Sequence, residues 1–350
     1  MSSTLIQFRT DDASKIKASS ICERLGIDLP TYMRMCISRL IRENGIPFSM
    51  KLEEEQESKG LKTLKKTLRL TFPEWQGGVN PPYYQGSRIL DMIAPRGEHM
   101  ECAEVPVKTN FVDTVPVTDG IAWKNELMEQ QRAAYAICEE KDPDRIIVLG
   151  GDCSVEQAPF DYLHGKYPED TAIIWLDAHP DFTRPKDSSH EHAMVLGNLI
   201  GDGAPDFAAM VKHPFDKKDV IYAGIVADHL EAWEEEYQKE YQMKFLTPDQ
   251  LAEDSGPLLD WLRENGYKHV MIHWDLDVIS PADFRSLLCA EPHIPPVEYA
   301  VGEMTLDQIL RLIKDVSAEF DVVALGITEF LPWDIIRLQK GLGELSIFHE

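Results

Sequence analysis

Short apolar runs alternate with helix-like segments along most of this chain. The strand candidates are residues 68–72, 145–149, 171–176, 219–223, 269–274 and 321–326. Helical periodicity lies between them, at residues 121–139, 155–165, 230–240, 248–265 and 305–318. Because continuous apolar strands have no wet side, the alternation predicts an α/β fold with a mainly parallel sheet covered on both faces.

Composition narrows the class of protein. The apolar residues, 43% of the 350, are spread in short runs, so no segment reaches the roughly 20 residues of a membrane helix. No secretory signal opens the sequence, and the six scattered cysteines form no CxxC pair, which predicts reduced thiols and a cytoplasmic location. The net charge of −25 argues against a general nucleic-acid binder, although residues 1–50 carry seven Lys/Arg against five Asp/Glu.

Titratable side chains follow four of the predicted strands. They are Asp152 and Cys153, then Asp177, His179 and Asp181, then Asp275 and Asp277, and finally Glu329. Ligands of such sheets collect at the carboxyl ends of the strands, and residues two apart in an extended chain face one side. Aspartates brought together there repel one another unless cations lie among them. One such cluster could equally be strand-end capping, whereas two clusters favour a metal site. Carboxylates mixed with imidazole suit Mn, Zn, Fe or Ni better than Ca or Mg, and carboxylates able to bridge favour two ions over one.

Five motifs extend this interpretation to a family resemblance. They are "GGDCS" (150–154), "DAHPD" (177–181), "HAM" (192–194), "HWDLDVISP" (273–281) and "GITEFLP" (326–332). In this order they resemble the motifs of the ureohydrolase family, which includes arginases and agmatinases. The resemblance covers about residues 67–345 and implies an arginase-like three-layer α/β/α fold.

The resemblance also implies a metal site. Asp177, Asp181 and Asp275 with residue 153 correspond to the ligands of one ion. Asp177, His179, Asp275 and Asp277 correspond to those of the other. The family uses two manganese ions to activate a water that attacks a guanidinium carbon and releases urea and an amine. Within that scheme Asp181 orients the water, His192 shuttles a proton to the amine, and Glu329 pairs with the guanidinium.

Three positions depart from the family pattern. Cys153 stands where the family has a metal-binding histidine, His273 where it has a serine, and Ser280 where it has an aspartate. A thiolate is softer than imidazole, so the first site could prefer Zn, Fe or Ni, or bind weakly. His273 could compensate as a ligand or lie buried within the strand. A catalytic thiol is disfavoured, since no histidine lies nearby in the sequence to pair with Cys153.

The loop after "DAHPD" also differs from that of arginases. It offers Thr183, Arg184, Lys186 and Ser188 as substrate contacts. Arg184 or Lys186 would favour a carboxylate on the substrate, and either could instead be a solvated loop charge. The substrate class is therefore a small guanidine or formimino compound, with no single member indicated.

The first fifty residues have a different character. Alternation around Ile6 and Phe8 predicts a strand, and two amphipathic stretches predict helices on either side of "GIDLP". This order resembles a ribbon-helix-helix subunit of RelB/DinJ-type antitoxins, which implies DNA reading by Gln7 and Arg9, with Leu5 less favoured. A dimerising extension that no longer binds DNA is the alternative.

The predicted organisation is a ribbon-helix-helix domain at 1–50, a charged linker at 51–66 and an arginase-like metallohydrolase domain at 67–350. Two functions stay open: hydrolysis of linear C–N bonds, or an antitoxin-like DNA-binding regulator whose large domain senses a ligand. A homo-oligomer is expected, with DNA or a toxin protein as a further partner of residues 1–50.

Overall fold

The computed structural model describes residues 10–24, 27–43, 65–112, 114–344 and 347. The chain divides into two compact units, Met1–Thr63 and Leu64–Glu350. None of the helices in these described stretches combines the length and apolar character that a membrane crossing requires.

The smaller unit contains two helices, α1 (Asp12–Arg24) and α2 (Leu29–Glu43). Asp28 begins α2, because its Oδ1 accepts a hydrogen bond from the backbone N–H of Thr31 at 2.7 Å, as an N-cap does. Both helices lie where the sequence predicts them. The predicted strand with Gln7 and Arg9 and most of the predicted linker lie outside the described residues.

The larger unit is built on an eight-stranded sheet in the order β2-β1-β5-β10-β9-β6-β7-β8. Every neighbouring pair in it is parallel. Its strands are β1 (Thr67–Phe72), β2 (Glu101–Glu104), β5 (Arg145–Gly150), β6 (Thr171–Leu176), β7 (Val220–Ala223), β8 (Lys244–Leu246), β9 (His269–Asp275) and β10 (Asp321–Thr328). A separate antiparallel pair is formed by β3 (Val117–Thr118) and β4 (Ile121–Ala122).

Helices alternate with these strands along the larger unit. They are α3 (Pro82–Ile93), α4 (Lys124–Lys141), α5 (Gln157–Lys166), α6 (Val195–Leu199), α7 (Pro205–Ala208), α8 (Ala232–Tyr241), α9 (Gly256–Glu264), α10 (Leu306–Glu319) and α11 (Trp333–Gly343). Short 3₁₀ turns connect several of them, including Cys153–Glu156 directly after β5.

Successive residues of each strand pack on opposite faces of the sheet. In β6, Ile173 and Trp175 join a core with α4, α5 and α8, whereas Ile174 and Leu176 join one with α9 and α10. Both faces are therefore buried, which explains why the strands read as continuous apolar runs. The predicted three-layer fold with a mainly parallel sheet is confirmed.

Several element boundaries differ from the predictions. The predicted helix 121–139 begins only at Lys124, because Ile121 and Ala122 pair with β3. The predicted helix 248–265 was wrong as one element: a 3₁₀ turn at Pro248–Leu251 is followed by α9. Strands β2 and β8 and helices α3 and α11 were not predicted.

Candidate metal centre

Four adjacent central strands, β5, β10, β9 and β6, end at one edge of the sheet. The side chains that follow them converge there. Asp177 follows β6, Asp275 is the last residue of β9, Glu329 follows β10, and Cys153 lies in the turn after β5. All four are nearly inaccessible to solvent. The rigid scaffold thus places groups that are up to 176 residues apart in sequence within contact distance.

Hydrogen bonds, a close backbone approach and unusual backbone angles shape the loops at the ends of these strands. Asp152 accepts hydrogen bonds from Ser154, with its Oδ1 2.6 Å from Oγ, and from the Gly78 N–H at 2.9 Å, which ties the loop after β1 to the site. A side chain at Gly151 would overlap the backbone carbonyl of Glu74, so the close approach of that loop requires glycine. Asp181 and Glu329 both have positive φ, +48° and +60°, a strained conformation that clusters at functional sites.

The thiol of Cys153 lies among carboxylates. Its Sγ is 3.0 Å from Oδ2 of Asp275, to which it donates, and 3.8 Å from Oε1 of Glu329. Burial, and then the charges of Asp275 and Asp181, raise the pKa of Cys153 well above its usual range. A neutral thiol is a poor nucleophile, so this environment disfavours nucleophilic catalysis by the free side chain.

A second part of the site surrounds His179. Its Nδ1 lies 3.1 Å from Oδ2 of Asp277 and 3.5 Å from Oδ1 of Asp177. Asp177 Oδ2 accepts a hydrogen bond from Trp175 Nε1 at 3.1 Å. The pKa of Asp177 is lowered although burial opposes this, because bonds from His179 and His273 outweigh burial.

His192 and Glu329 form a pair at the edge of the cluster. His192 Nδ1 is 2.9 Å from Glu329 Oε1. Burial opposes the charged imidazole, but the bond to Glu329 and its charge raise the pKa of His192 to about 9. Tyr83 of α3 is buried in the same region, where burial and the nearby charge of Glu329 raise its pKa well above the ordinary value. Nothing in the sequence pointed to Tyr83.

The site offers ligand atoms in overlapping groups. In each group one atom per residue lies within 4.8 Å of all the others. The groups are Cys153, Asp177, Asp181 and His273; Cys153, His192 and Glu329; Asp177, His179 and Asp277; and Asp275, Asp277 and Glu329. All six residues predicted as metal ligands are members of these groups. His273 is a member as well. The sequence left open whether this residue is a metal ligand or lies buried within the strand.

The charge of this cluster and its unsatisfied oxygens, taken over the described residues, make it suited to cations. Burial and the charges of neighbouring acids raise the pKa of Asp181 and Asp275 well above the ordinary value, and burial raises that of Asp277 to about 6. Asp181 Oδ2 and Asp277 Oδ1 are buried with no hydrogen-bond partner within the described stretches. Divalent ions among these groups would satisfy both oxygens and offset the repulsion, so the residues fit a metal centre.

The residues of the loop after Asp181 that the sequence predicts to bind substrate are Thr183 and Arg184. Thr183 is buried, and its backbone N–H donates to the Ala193 carbonyl at 2.8 Å. Arg184 Nη2 donates to Asp202 Oδ2 at 2.8 Å and to the Tyr241 hydroxyl at 3.0 Å. Its guanidinium also lies 4.2 Å from the centre of the Tyr237 ring. The charge of Arg184 is therefore already partnered, and its role in binding substrate stays a prediction.

Comparison with known proteins agrees with this geometry. Residues 90–333 match the family model described as the arginase family. The chain belongs to the arginase family. Within that family it is 25% identical over 262 residues to "Arginase 1, mitochondrial" of Arabidopsis thaliana, a match that covers 74% of this chain and 65% of that relative. The matched part thus spans slightly less than two thirds of the plant arginase.

Solved structures show the same fold. An arginase of Entamoeba histolytica in complex with L-ornithine superposes with a TM-score of 0.65 at 17% identity, over 77% of this chain and 91% of that one. Formimidoylglutamase of Bacillus subtilis gives 0.56 at 13% identity, over 84% of this arginase-family chain and 91% of that one. Residues 3–67 separately match the family model of the RelB antitoxin.

Proposed function

We propose that this arginase-family chain is a metal-dependent hydrolase of linear C–N bonds in guanidine or formimino compounds. The observation that carries the proposal is the His192–Glu329 pair, 2.9 Å apart, at the border of a buried carboxylate cluster in which two oxygens have no partner among the described residues. An acid–base group and a carboxylate suited to a cationic substrate thus lie directly beside a site suited to metal ions.

The residues proposed to hold metal are those of the family motifs. Cys153, Asp177, Asp181 and Asp275 are assigned to one ion, and Asp177, His179, Asp275 and Asp277 to the other. Manganese is proposed from the family, with Zn, Fe or Ni as alternatives because Cys153 offers a soft thiolate. Divalent ions held by these residues would lower the pKa of water and so would supply a nucleophile near neutral pH.

The remaining chemistry is assigned to the chain's own side chains. Glu329 offers two oxygens to the planar guanidinium, and its Oε1 also holds His192 through Nδ1. This hydrogen bond orients the imidazole and leaves Nε2 to give a proton to the departing amine. Asp181, with its Oδ2 free of protein partners in the described stretches, is proposed to orient the attacking water.

The substrate-binding assignment rests on Thr183 and Arg184. A substrate carboxylate would have to replace Asp202 as a partner of Arg184. Arg184→Gln should therefore raise the KM for amino-acid substrates, which carry a carboxylate, and leave the KM for agmatine, which lacks one, nearly unchanged. An equal rise for both would remove Arg184 from substrate recognition.

The hydrolase proposal is tested with the full chain loaded separately with Mn, Zn, Fe or Ni. Arginine, agmatine, guanidinobutyrate, formiminoglutamate and guanidine are supplied, and release of urea or of the amine product is measured. Turnover of at least one compound, abolished in Asp181→Asn, is the expected result. No turnover of any compound with any metal would refute the proposal.

A second function is favoured by the RelB match at residues 3–67. We propose that residues 1–50 form a ribbon-helix-helix domain, joined by a linker at 51–66 to a hydrolase domain at 67–350, and that it binds DNA through Gln7 and Arg9 or a toxin protein. A homo-oligomer held together by both domains is part of this proposal.

The DNA proposal is tested by titrating the full chain with duplexes that include the gene's own upstream region. Affinity should fall with rising salt, since phosphate contacts release counterions, and Arg9→Ala should weaken it. Lys17→Ala, on α1, is the control for a general loss of positive charge. Absence of salt-dependent binding to every duplex would refute DNA recognition without bearing on hydrolysis.

A further inference from the structure

His273 occupies a position in the sheet that fixes its ring. It lies on β9 and pairs in register with Trp175 on β6 and with Gly326 on β10. The imidazole is fully buried and stacks on the Trp175 ring, with 3.7 Å between centroids and 21° between planes. One face of the imidazole is therefore held by an aromatic ring, which limits its rotation.

Glu156 fixes the direction in which this ring points. It is the last residue of the turn that begins with Cys153, and its Oε2 lies 2.8 Å from His273 Nδ1. The glutamate is fully buried and occupies the space that a side chain at 326 would fill. An ionised carboxylate only accepts hydrogen bonds, so Nδ1 donates to Glu156 and Nε2 is the nitrogen on the side away from it.

His273 Nε2 faces the metal-ligand cluster, where a bound metal would take the place of its proton. His273 Nε2 is 3.4 Å from Asp177 Oδ2, and His273 belongs to the four-residue group with Cys153, Asp177 and Asp181. Asp181, whose Oδ2 has no hydrogen-bond partner in the part of the chain that the structure describes, belongs to the same group. A carboxylate on one imidazole nitrogen and a metal on the other is a recurring arrangement in metalloproteins, where the carboxylate orients the ring and increases its basicity.

We propose that His273 is a direct ligand of the first metal ion, and that Glu156 is the residue that positions it. This inference deepens the proposed function and rests on it, because it concerns the same metal centre. The ligand set becomes one thiolate, one imidazole and two carboxylates, from Cys153, His273, Asp177 and Asp181. The imidazole absent from position 153 is then supplied from the neighbouring strand, and Asp275, which accepts from the Cys153 thiol in the metal-free chain, is left to bind the second ion.

The competing explanation is a purely structural ion pair. In that case His273 is a protonated imidazolium held between Glu156 and Asp177, and its Nε2 donates to Asp177 rather than binding a cation. The two explanations differ in whether metal affinity and the spectrum of a bound metal depend on His273.

The test uses the full chain loaded with Co(II), whose visible absorption reports ligand type and geometry. His273→Gln and Glu156→Gln are compared with His269→Gln as the matched control. His269 lies on the same strand and its Nδ1 is 3.1 Å from Asp321, but it belongs to none of the ligand groups found in the described stretches. Cobalt affinity is measured by competition with a chelator, and metal content by elemental analysis.

We expect His273→Gln to change the visible cobalt bands and to lose affinity by more than the roughly 10–100-fold that removal of an outer partner costs. Glu156→Gln should lose roughly 10–100-fold and keep the thiolate-to-cobalt charge-transfer band. His269→Gln should match the wild type. Unchanged affinity and spectrum in His273→Gln would overturn the proposal. If that variant does not fold, unchanged affinity in Glu156→Gln overturns it instead.

Failure of this inference is distinguishable from failure of the proposed function. Metal binding that depends on His273, without turnover of any substrate, supports the ligand and refutes the hydrolase. Turnover of a substrate, together with metal binding that does not change in His273→Gln, supports the hydrolase and refutes the ligand. A wild-type chain that binds neither cobalt nor any of Mn, Zn, Fe and Ni refutes both.

Discussion

Gly326→Ala is expected to destabilise the larger unit through Glu156. A Cβ at position 326 would overlap Oε1 and Cδ of Glu156 and lie 2.9 Å from its Cγ, closer than real Cβ contacts. Glu156 is completely buried, so its carboxylate can move only by giving up the 2.8 Å bond to His273. The substitution therefore separates a buried charged pair without removing either partner.

Breaking a buried pair typically costs about 3–5 kcal/mol, because each charge loses its partner away from water. For a unit of this size, each kcal/mol lowers Tm by about 2 °C. The expected fall in Tm is therefore about 6–10 °C. The same change should also weaken metal binding, since His273 loses the group that orients it.

Thermal unfolding of the metal-free chain, followed by circular dichroism, measures this effect. Gly341→Ala on α11 is the matched control, because a Cβ there meets nothing within 4 Å and glycine in a helix is less favourable than alanine. Its Tm should equal or slightly exceed that of the wild type. A Gly326→Ala variant with a Tm within about 2 °C of the control would refute the packing argument.

Three further predictions concern catalysis, pH and metal. His192→Asn should lower kcat by roughly 10²–10⁴-fold with metal content unchanged, because it removes the proposed proton donor; parallel loss of metal would instead make His192 a ligand. Asp91→Asn should cost about 3 kcal/mol at neutral pH, because the buried Arg69, whose Nε is 3.0 Å from Asp91 Oδ1, keeps its charge without its partner. Although burial opposes it, bonds from Arg69 and Thr71 lower the pKa of Asp91, so this contribution is complete above about pH 4 and is lost as the pH falls through the lowered pKa. Urea unfolding of variant and wild type should therefore converge in acid, and a constant difference would contradict the assignment. Removing metal with a chelator should lower Tm, and adding it back should restore Tm, since a ligand of the folded state stabilises it; an unchanged Tm would count against a bound metal.

The fold and the position of the site were largely accessible from the sequence. Continuous apolar runs such as 171–176, alternating with helical segments, are typical of buried parallel strands, and the carboxyl ends of adjacent parallel strands share one edge. Residues placed directly after those strands, such as Asp177 and Glu329, therefore had to lie near one another. Strands β2 and β8 escaped prediction because they are short and partly exposed. Helix α3 follows a Gly- and Pro-rich loop that resembles a turn.

The connection between Glu156 and His273 could not be predicted. The two residues are 117 positions apart, and their contact depends on the space left at Gly326 on a third strand. The two-residue alternation of a strand predicts that His273 lies on the same side of the strand as Asp275. It does not predict which nitrogen of the imidazole ring points at the cluster. For Arg184, the sequence suggested a contact with a substrate carboxylate. In the structure its guanidinium donates to Asp202, which lies 18 residues later in the sequence.

The number of metal ions bound per chain tests most directly whether the carboxylate cluster holds divalent ions. The full chain is loaded with Mn or Zn, freed of unbound metal, and analysed for metal per chain beside Asp177→Asn. We expect two tightly bound ions in the wild type and loss of at least one in the variant. A wild-type chain that retains no ion of either metal would contradict this expectation.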